Sequence, residues 1–333
     1  MELSKGRIIF ASINSYTVLS ESGQEYFSVL SGNFNSRNSS LPAVGDLVLF
    51  YKNDNGDSVI DWISERKSVI SRKTSGKEFK ENVLASNIDY MFILNAMDDT
   101  FSKRRIERFL VLAKSGGVQP VILLTKADTC DLLSRVVFSS EAYEVAGGAD
   151  VIEVSSVTGE GLEDVRKYLS EGVIVCAVGL SGAGKSTLLN KLIGDEIRDT
   201  APVRAYDSKG KHCTTSRQMF LLGSGAMYVD TPGIREVGIK GDVEAVEDVF
   251  DEITSKAGNC FFADCTHTHE PSCAVIEAVE SGEISSERYE SYLKLRKESE
   301  NYRMRTESPQ ERKRSEKNLS KLVRSVSKTK KRF

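Results

Sequence analysis

The hydrophobic pattern of residues 1–70 is that of short β-strands. Five segments are rich in β-branched and aromatic residues, and Gly, Asn, Ser and Asp separate them. The five segments are residues 7–10, 16–19, 26–30, 46–50 and 59–63. Five strands over so short a stretch predict a small barrel, and an OB-fold is the candidate architecture. The pattern alone is also compatible with an unspecialised β-module.

Residues 83–238 carry a different pattern, in which short apolar segments alternate with amphipathic ones. The predicted strands are residues 90–94, 121–124, 151–154, 173–178 and 227–229, and the predicted helices include 102–114, 162–169 and 186–192. This alternation predicts a mostly parallel sheet with helices on both faces. The polar residues 71–77, between the two regions, are interpreted as a linker.

The last part of the chain is mainly helical in pattern. Residues 242–257 are predicted to form a helix, residues 260–273 hold a cluster of Cys and His, and residues 286–333 form a charged helical stretch. A chain of 333 residues exceeds the size of one typical domain, so a multidomain protein is expected.

Residues 179–187 match a phosphate-binding motif, G-x-x-x-x-G-K-[ST]. The motif consists of Gly179, Leu180, Ser181, Gly182, Ala183, Gly184, Lys185, Ser186 and Thr187. It follows a predicted strand and opens a predicted helix, as the motif requires, so a chance glycine-rich turn is the weaker alternative. Backbone N–H groups and the helix N-terminus favour phosphate here. Lys185 is expected to act in catalysis on the β- and γ-phosphates, and the Ser186 hydroxyl to bind Mg²⁺.

Two further motifs point to guanine as the base. Thr125, Lys126, Ala127 and Asp128 match N/T-K-x-D, in which the Asp carboxylate accepts hydrogen bonds from the guanine N1–H and N2–H₂ groups. Adenine cannot offer these donors, so the motif argues against an ATPase or kinase. Ser155 and Ser156 stand where an S-A element would support the guanine. Both motifs follow predicted strands, where α/β sheets bind ligands.

Asp230 and Gly233 form a D-x-x-G element, which in GTPases holds the Mg²⁺ shell and senses the γ-phosphate. In ordinary GTPases the phosphate loop comes first along the chain, whereas here both base-reading motifs precede it. Since chain termini lie close together on domain surfaces, the same sheet can form from a chain whose ends have been moved. We therefore predict an α/β, circularly permuted P-loop GTPase domain over residues 73–238.

The Cys and His cluster has the composition of a metal site. Cys260, Cys265 and Cys273 lie within 14 residues of one another, with His267 and His269 between them. Three thiolates and one imidazole suffice for a closed, structural Zn²⁺ site, and the spacing does not choose between the two histidines. Unmetallated buried cysteines are the alternative. A reducing compartment argues against disulfides.

The barrel, the permuted motifs and this cluster together resemble the RsgA (YjeQ) family of GTPases that act in small-ribosomal-subunit biogenesis. The resemblance covers nearly the whole chain, and it implies an OB barrel, a GTPase domain and a zinc domain. It selects His267 as the fourth ligand, beside Cys260, Cys265 and Cys273.

For catalysis the resemblance points to a switch I histidine, which falls on His212. Ile234, after Gly233, is apolar and cannot orient the attacking water, whereas an imidazole can. A histidine that only contacts RNA phosphate or solvent is the alternative. Cys213 replaces the family's usual Thr, which leaves Thr214 or Thr215 as the switch I ligand of Mg²⁺, and we choose Thr215.

Charge is distributed unevenly along the chain. The formal net charge is −3, yet residues 303–333 hold 12 Lys and Arg against 3 Glu, so the rest of the chain sums to −12. A basic end on an acidic body indicates a polyanionic partner, although a solvated end is the alternative. No apolar run approaches the ~18 residues of a membrane span, and the N-terminus lacks a secretory h-region, so we expect a cytoplasmic protein with no membrane partner.

These observations predict four parts: an OB-fold barrel that binds RNA at 1–72, the GTPase domain at 73–238, a helical zinc-binding domain at 239–300 and a basic tail at 301–333. The expected function, implied by the family, is a GTP hydrolase that binds GTP and GDP with Mg²⁺, carries one structural Zn²⁺ and assists late assembly of the small ribosomal subunit. Hydrolysis would be stimulated by the subunit and its rRNA and would drive release, with the protein acting as a monomer. An RNA-binding scaffold with a vestigial nucleotide site is the alternative.

Overall fold

The structure is a computed structural model, and it describes residues 2–13, 15–38, 40–73, 81–196, 217–230 and 242–306. The chain forms two compact units, Met1–Val237 and Gly238–Phe333. Within the described ranges no helix combines the length and the apolar character that crossing a membrane requires.

The first unit begins with a closed barrel of five strands, and the predicted barrel is confirmed. The strands are β1 (Leu3–Ala11), β2 (Tyr16–Ser20), β3 (Glu25–Leu30), β4 (Leu47–Tyr51) and β5 (Ser58–Ile63), with a short helix, α1 (Phe34–Arg37), before β4. They pair in the order β1-β2-β3-β5-β4, and β4 pairs with β1 to close the barrel. The β3–β5 pair is parallel, and the other pairs are antiparallel.

Alternation of side chains along the strands builds the barrel core. Ile8, Val18, Phe50 and Ile60 are fully buried, while their neighbours along each strand are more exposed. Burial of each such side chain contributes about 1.5–3 kcal/mol, which offsets the entropy lost by these short strands. Gly6 lies where a Cβ would come within 2.4 Å of the Val18 side chain, so the barrel closes tightly at this point.

A β-hairpin follows the barrel. Strand β6 (Val69–Lys73) pairs antiparallel with β7 (Glu81–Ser86) in a sheet of its own. The interpretation of residues 71–77 as a linker is therefore wrong for residues 71–73. The polar composition of residues 71–73 did not indicate a strand. The hairpin is held in place by Ile70 and Leu84, one on each strand, which are fully buried. Residues 74–77 lie outside the described residues.

The nucleotide-binding region is a sheet of six strands in the order β10-β9-β8-β11-β13-β12. The strands are β8 (Tyr90–Ala96), β9 (Gln119–Thr125), β10 (Asp150–Val154), β11 (Ile174–Gly179), β12 (Arg217–Leu221) and β13 (Met227–Asp230). All neighbours are parallel except β12 with β13, and β12 also pairs antiparallel with β1 of the barrel. The predicted parallel α/β sheet is confirmed.

The helices of this region connect its strands. They are α2 (Lys103–Ser115), a 3₁₀ turn at Ala127–Thr129, α3 (Leu132–Val145), α4 (Leu162–Arg166) and α5 (Lys185–Glu196). The hydrophobic pattern did not predict α3. The helix buries only Ala142 and Val145, whereas Leu132 and Leu133 are 77% and 80% exposed. The apolar residues of α3 therefore do not have the helical spacing, with one buried apolar face, that indicates a helix packed on the core.

The second unit is helical, with α6 (Val243–Val249), α7 (Asp251–Ala257), α8 (Ala274–Glu280) and α9 (Ser286–Thr306). The helix predicted over 242–257 is broken at Phe250, whose φ of −115° and ψ of 44° are not helical. The break lets the Phe250 ring reach the core of this unit. The ring is fully buried, its centroid is 5.6 Å from that of Tyr292, and the Arg288 guanidinium carbon lies 4.1 Å from its centroid.

Candidate functional site

The motif residues gather at one edge of the six-stranded sheet. Strands β8, β9, β10, β11 and β13 are parallel, so their carboxyl ends lie along the same edge. Thr125 ends β9, Gly179 ends β11, Asp230 ends β13, and Ser155 follows β10. The carboxyl edge of an open α/β sheet is where ligands bind. The fold therefore brings the predicted base-reading residues and the predicted phosphate loop to one place.

The phosphate loop turns sharply between β11 and α5. Gly179 has φ of +151°, and a Cβ there would come within 2.5 Å of the Leu94 carbonyl oxygen on β8. Gly182 and Gly184 have φ of +80° and +87°, in the left-handed region that glycine tolerates best. The glycines of the motif are therefore required by backbone conformation and by the close approach of β8.

Lys185 is the first residue of α5, and its side chain turns back over the loop. Its ammonium group donates hydrogen bonds to the carbonyl oxygens of Gly179 and Leu180, at 2.9 and 2.7 Å. Ser186 and Thr187 follow in the first turn of the helix, and both are exposed. The loop thus presents a cation, a helix N-terminus and hydroxyl groups, which is the chemistry that binds phosphate and Mg²⁺.

The base-reading strand is attached directly to the phosphate loop. Thr125 is buried, and its hydroxyl donates a 2.9 Å hydrogen bond to the carbonyl oxygen of Ala183. Threonine, which is shorter than the asparagine that the motif also allows, therefore suffices to connect the two motifs at this position. Asp128 lies in the 3₁₀ turn just beyond, and its exposed side chain leaves the carboxylate accessible to a base.

Lys126 is held by a residue that sequence analysis did not identify. Its Nζ lies 2.7 Å from Asp98 Oδ2, in the loop after β8. The hydrogen bonds from Lys126 and from the Thr100 side chain lower the pKa of Asp98 to about 2, so the carboxylate stays charged. Lys126 has φ of +61°, which is unusual for a residue with a Cβ. Asp98 and Asp99 follow the buried strand β8 in the sequence. This pair of acidic residues could have indicated a role in the site, because β8 ends at the edge of the sheet where ligands bind.

Ser155 forms the core of a tight turn beside the base-reading strand. It is fully buried, and its hydroxyl accepts hydrogen bonds from the N–H groups of Val157 and Thr158 at 3.2 and 3.1 Å. Val154, just before it, is the register partner of Thr125. The pair Ser155 and Ser156 therefore follows directly from the strand next to the T-K-x-D motif. Ser156 is half-buried.

Asp230 is exposed at the end of β13, where its backbone pairs with Gln218 of β12. Strand β13 runs parallel to β11, so Asp230 approaches the phosphate loop from the side opposite to Thr125. The predicted His212, Thr215 and Gly233 lie outside the described residues.

The second unit contains a compact cluster of the four predicted metal ligands, Cys260, Cys265, His267 and Cys273. All four ligand atoms lie within 4.8 Å of one another. Cys260 Sγ is 3.8 Å from Cys273 Sγ, and His267 Nδ1 is 3.5 Å from each of these two sulfurs. A tetrahedral zinc site has sulfur–sulfur edges of about 3.8 Å and sulfur–nitrogen edges of about 3.6 Å, given its usual bond lengths. The cluster can therefore hold a metal ion of this kind.

The backbone decides which histidine joins the cluster. His267 is 4% exposed and has φ of +63°, a strained conformation that turns its ring toward the sulfurs. Burial lowers the pKa of His267, which favours the neutral imidazole that binds metal ions. His269 is exposed, and its Nδ1 contacts the Thr268 hydroxyl at 2.8 Å. Glu270 accepts the N–H groups of Thr266, Thr268 and His269 and so holds this loop.

Comparison with known proteins identifies relatives of this chain. The RsgA GTPase family profile matches residues 63–240. The small ribosomal subunit biogenesis GTPase RsgA of Methanosarcina acetivorans is 42% identical over 255 residues, which cover 76% of this chain and 69% of that protein. The small ribosomal subunit biogenesis GTPase RsgA 2 of Lactiplantibacillus plantarum is 41% identical over 298 residues, covering 88% of this chain and 82% of that protein.

Solved structures show the same architecture. The crystal structure of YjeQ from Thermotoga maritima matches with a TM-score of 0.69 and 31% identity, over 90% of this chain and 99% of that one. The crystal structure of YloQ, a circularly permuted GTPase, matches with a TM-score of 0.64 and 26% identity, over 92% and 97% of the two chains. The matches span the barrel, the nucleotide-binding sheet and the second unit, and the chain belongs to the RsgA GTPase family.

Proposed function

We propose that the protein is a GTP hydrolase that binds the small ribosomal subunit and assists its late assembly, with hydrolysis to GDP and phosphate driving its release. The names of its relatives support the link to the small subunit. The observation that carries the nucleotide chemistry is the hydrogen bond from Thr125 to Ala183. This bond joins the base-reading strand to the phosphate loop, which is the geometry that one nucleotide spanning both motifs requires.

The roles of the nucleotide-site residues follow from their chemistry. The Asp128 carboxylate would accept hydrogen bonds from the guanine N1–H and N2–H₂ groups. Lys185 would neutralise the charge that develops between the β- and γ-phosphates. The hydroxyl groups of Ser186 and Thr215, with the Asp230 carboxylate, offer the oxygen ligands that Mg²⁺ prefers. His212 would position the attacking water.

The second unit would hold one structural zinc ion through Cys260, Cys265, His267 and Cys273. Four protein ligands leave no open position for catalysis, so the ion would stabilise the fold of this unit. We propose that the barrel and this unit contact rRNA, that the basic tail adds phosphate contacts, and that the protein acts as a monomer in the cytoplasm, where small subunits are assembled.

The rate of GTP hydrolysis, measured with and without small ribosomal subunits, tests this function. We expect the protein to hydrolyse GTP, and excess ATP should not inhibit this reaction. Small ribosomal subunits should increase the rate. Lys185→Ala is the matched control for a contaminating GTPase, because it removes the phosphate-binding cation. Tight subunit binding with no turnover above this control would favour the scaffold with a vestigial nucleotide site.

A further inference from the structure

We propose that Arg135 is a positioning residue for guanine, which holds the turn of residues 155–160 in the place where this turn supports the base. The inference rests on the proposed guanine site, and it assigns a role to a residue that lies outside every nucleotide-binding motif of the chain. Arg135 projects from α3, the helix that follows the T-K-x-D motif.

The Arg135 guanidinium bridges two carboxylates. Its Nε and Nη2 donate to Glu153 Oε2 at 2.8 and 2.5 Å, and Nη2 also donates to Glu160 Oε1 at 2.5 Å. Ser139, one turn further along α3, donates to Glu153 Oε1 at 2.6 Å. Bonds of a guanidinium to two carboxylates are directional, so they fix orientation as well as distance. Glu153 belongs to β10, and Glu160 belongs to the turn that follows it.

Glu160 passes this restraint to the base-supporting residues. Its carbonyl oxygen accepts a 3.0 Å hydrogen bond from the Ser155 N–H, while its side chain is held by Arg135. The Ser155 hydroxyl in turn accepts the N–H groups of Val157 and Thr158. Glu160 therefore connects Arg135 directly to the backbone of the Ser155–Ser156 element.

The turn is held by hydrogen bonds more than by burial of apolar side chains. Val157, its large apolar side chain, is 77% exposed and contributes little burial. Gly161 closes the turn with φ of +74°, and a Cβ there would lie 1.9 Å from the Glu153 carbonyl oxygen. The close approach to Glu153 leaves the backbone little freedom at this end. Further hydrogen bonds lie within the turn, from the Gly159 N–H to the Ser155 carbonyl oxygen at 2.9 Å and from the Glu160 N–H to the Thr158 hydroxyl at 3.4 Å. The ion pair of Arg135 with Glu160 adds a side-chain restraint that comes from outside the turn.

The same side chain connects the two base-reading motifs. Helix α3 begins four residues after Asp128, and the Asp131 carboxylate caps it by accepting from the Ser134 N–H at 2.9 Å. The first half of α3 buries no residue, and the Phe138 ring packs this half against Phe101, with ring centroids 4.9 Å apart. Arg135 thus links T-K-x-D, through α3, to the Ser155 turn.

Measurement of base-dependent and phosphate-dependent affinity tests this role. Arg135→Ala should raise the Kd for fluorescent GDP about tenfold, the loss expected for one misplaced hydrogen-bonding group. The Kd for inorganic tripolyphosphate, which carries no base, should change less than twofold, and Tm should hardly move because this ion pair is near the surface. Glu160→Gln, which keeps the size of the side chain, should also weaken GDP binding. Arg135→Lys should retain part of the GDP affinity that Arg135→Ala loses.

Arg166→Ala is the matched control, since it removes an arginine that pairs with Glu163 on the neighbouring helix α4. It should leave the GDP affinity within twofold. GDP affinity that is equally unaffected by Arg135→Ala would overturn the inference while leaving the guanine site intact. Parallel losses of GDP, tripolyphosphate and Tm would overturn it too, because they would indicate a general structural role. Failure of the unsubstituted protein to bind GDP would instead overturn the proposed function.

Discussion

Phe10 of the barrel and Gln218 of strand β12 are antiparallel register partners. Gln218 is also the register partner of Asp230 at the end of β13. The backbone ladder therefore runs without interruption from the barrel to the acidic residue at the phosphate edge. The Arg217 side chain extends the connection, because it donates to the Val83 carbonyl oxygen of the hairpin at 3.0 Å. Strand β12 therefore connects the barrel to the strand that ends at Asp230.

Thr125→Val should weaken nucleotide binding while the protein stays folded. The substitution keeps the shape of the side chain but removes the hydroxyl that donates to Ala183 O, and an unpaired buried acceptor costs about 1–3 kcal/mol. The Kd for GDP should therefore rise about fivefold to a hundredfold. Thr125→Ser retains the hydroxyl and is the control, with an unchanged Kd expected. An equal Kd for both variants would contradict a role for this bond.

Asp128→Asn should change the base preference. The carboxylate accepts two guanine donors, whereas an amide offers one acceptor and one donor group, which complements the xanthine base better. We expect weaker GTP binding with equal or better binding of xanthosine triphosphate, measured by competition against a fluorescent nucleotide. Unaltered GTP affinity would show that another residue reads the base.

Cys265→Ser should release the metal ion and unfold the second unit, while the first unit still binds GDP. A structural zinc site carries an apparent binding free energy of about 10–16 kcal/mol in small peptides, more than so small a unit can replace. Metal content, far-UV circular dichroism and limited proteolysis measure the effect. His269→Ala is the control and should retain the metal, since His269 is exposed outside the cluster. Loss of zinc without change in protease resistance would argue against a structural role.

His212→Ala should slow subunit-stimulated GTP hydrolysis with little change in the Kd for GTP. A group that acts on the attacking water contributes to the transition state and not to ground-state binding. Single-turnover rates at saturating subunit concentration give the comparison, and His212→Gln should recover part of the rate because an amide can also orient water. Equal losses of rate and affinity would point to a structural role.

Deletion of residues 307–333 should weaken binding to the small subunit and flatten its salt dependence. Helix α9 continues to Thr306, beyond the start predicted for the tail at 301, so a deletion from 307 keeps the described helix. The deleted segment holds ten Lys and Arg against three Glu. Each lost phosphate contact reduces the slope of log K against log salt by about 0.7–0.9. Intrinsic GTP hydrolysis should be unchanged. Unchanged affinity and slope would place the rRNA contacts in the rest of the chain.

Local sequence was sufficient where chemistry depends on neighbouring residues. The phosphate loop needs glycines, Lys185 and a helix start within nine residues, and the chain supplies them consecutively. The barrel strands and the central sheet were likewise predictable, because alternation and apolar runs report directly on which faces are buried. Spacing also indicated the metal cluster, since its ligands span only 14 residues.

Tertiary structure decided what depends on partners distant in sequence. Residues 71–73 have a polar composition, yet they form a strand because Ile70 and Leu84 are buried in the hairpin. Phe250 breaks a predicted helix since its ring packs on Tyr292, 42 positions further along the chain. Asp98 and Arg135 lie in no motif, and only the fold brings them to Lys126 and Glu160. Sequence patterns record the local conformation and chemistry of a residue, whereas its long-range contacts exist only once the chain has closed around it.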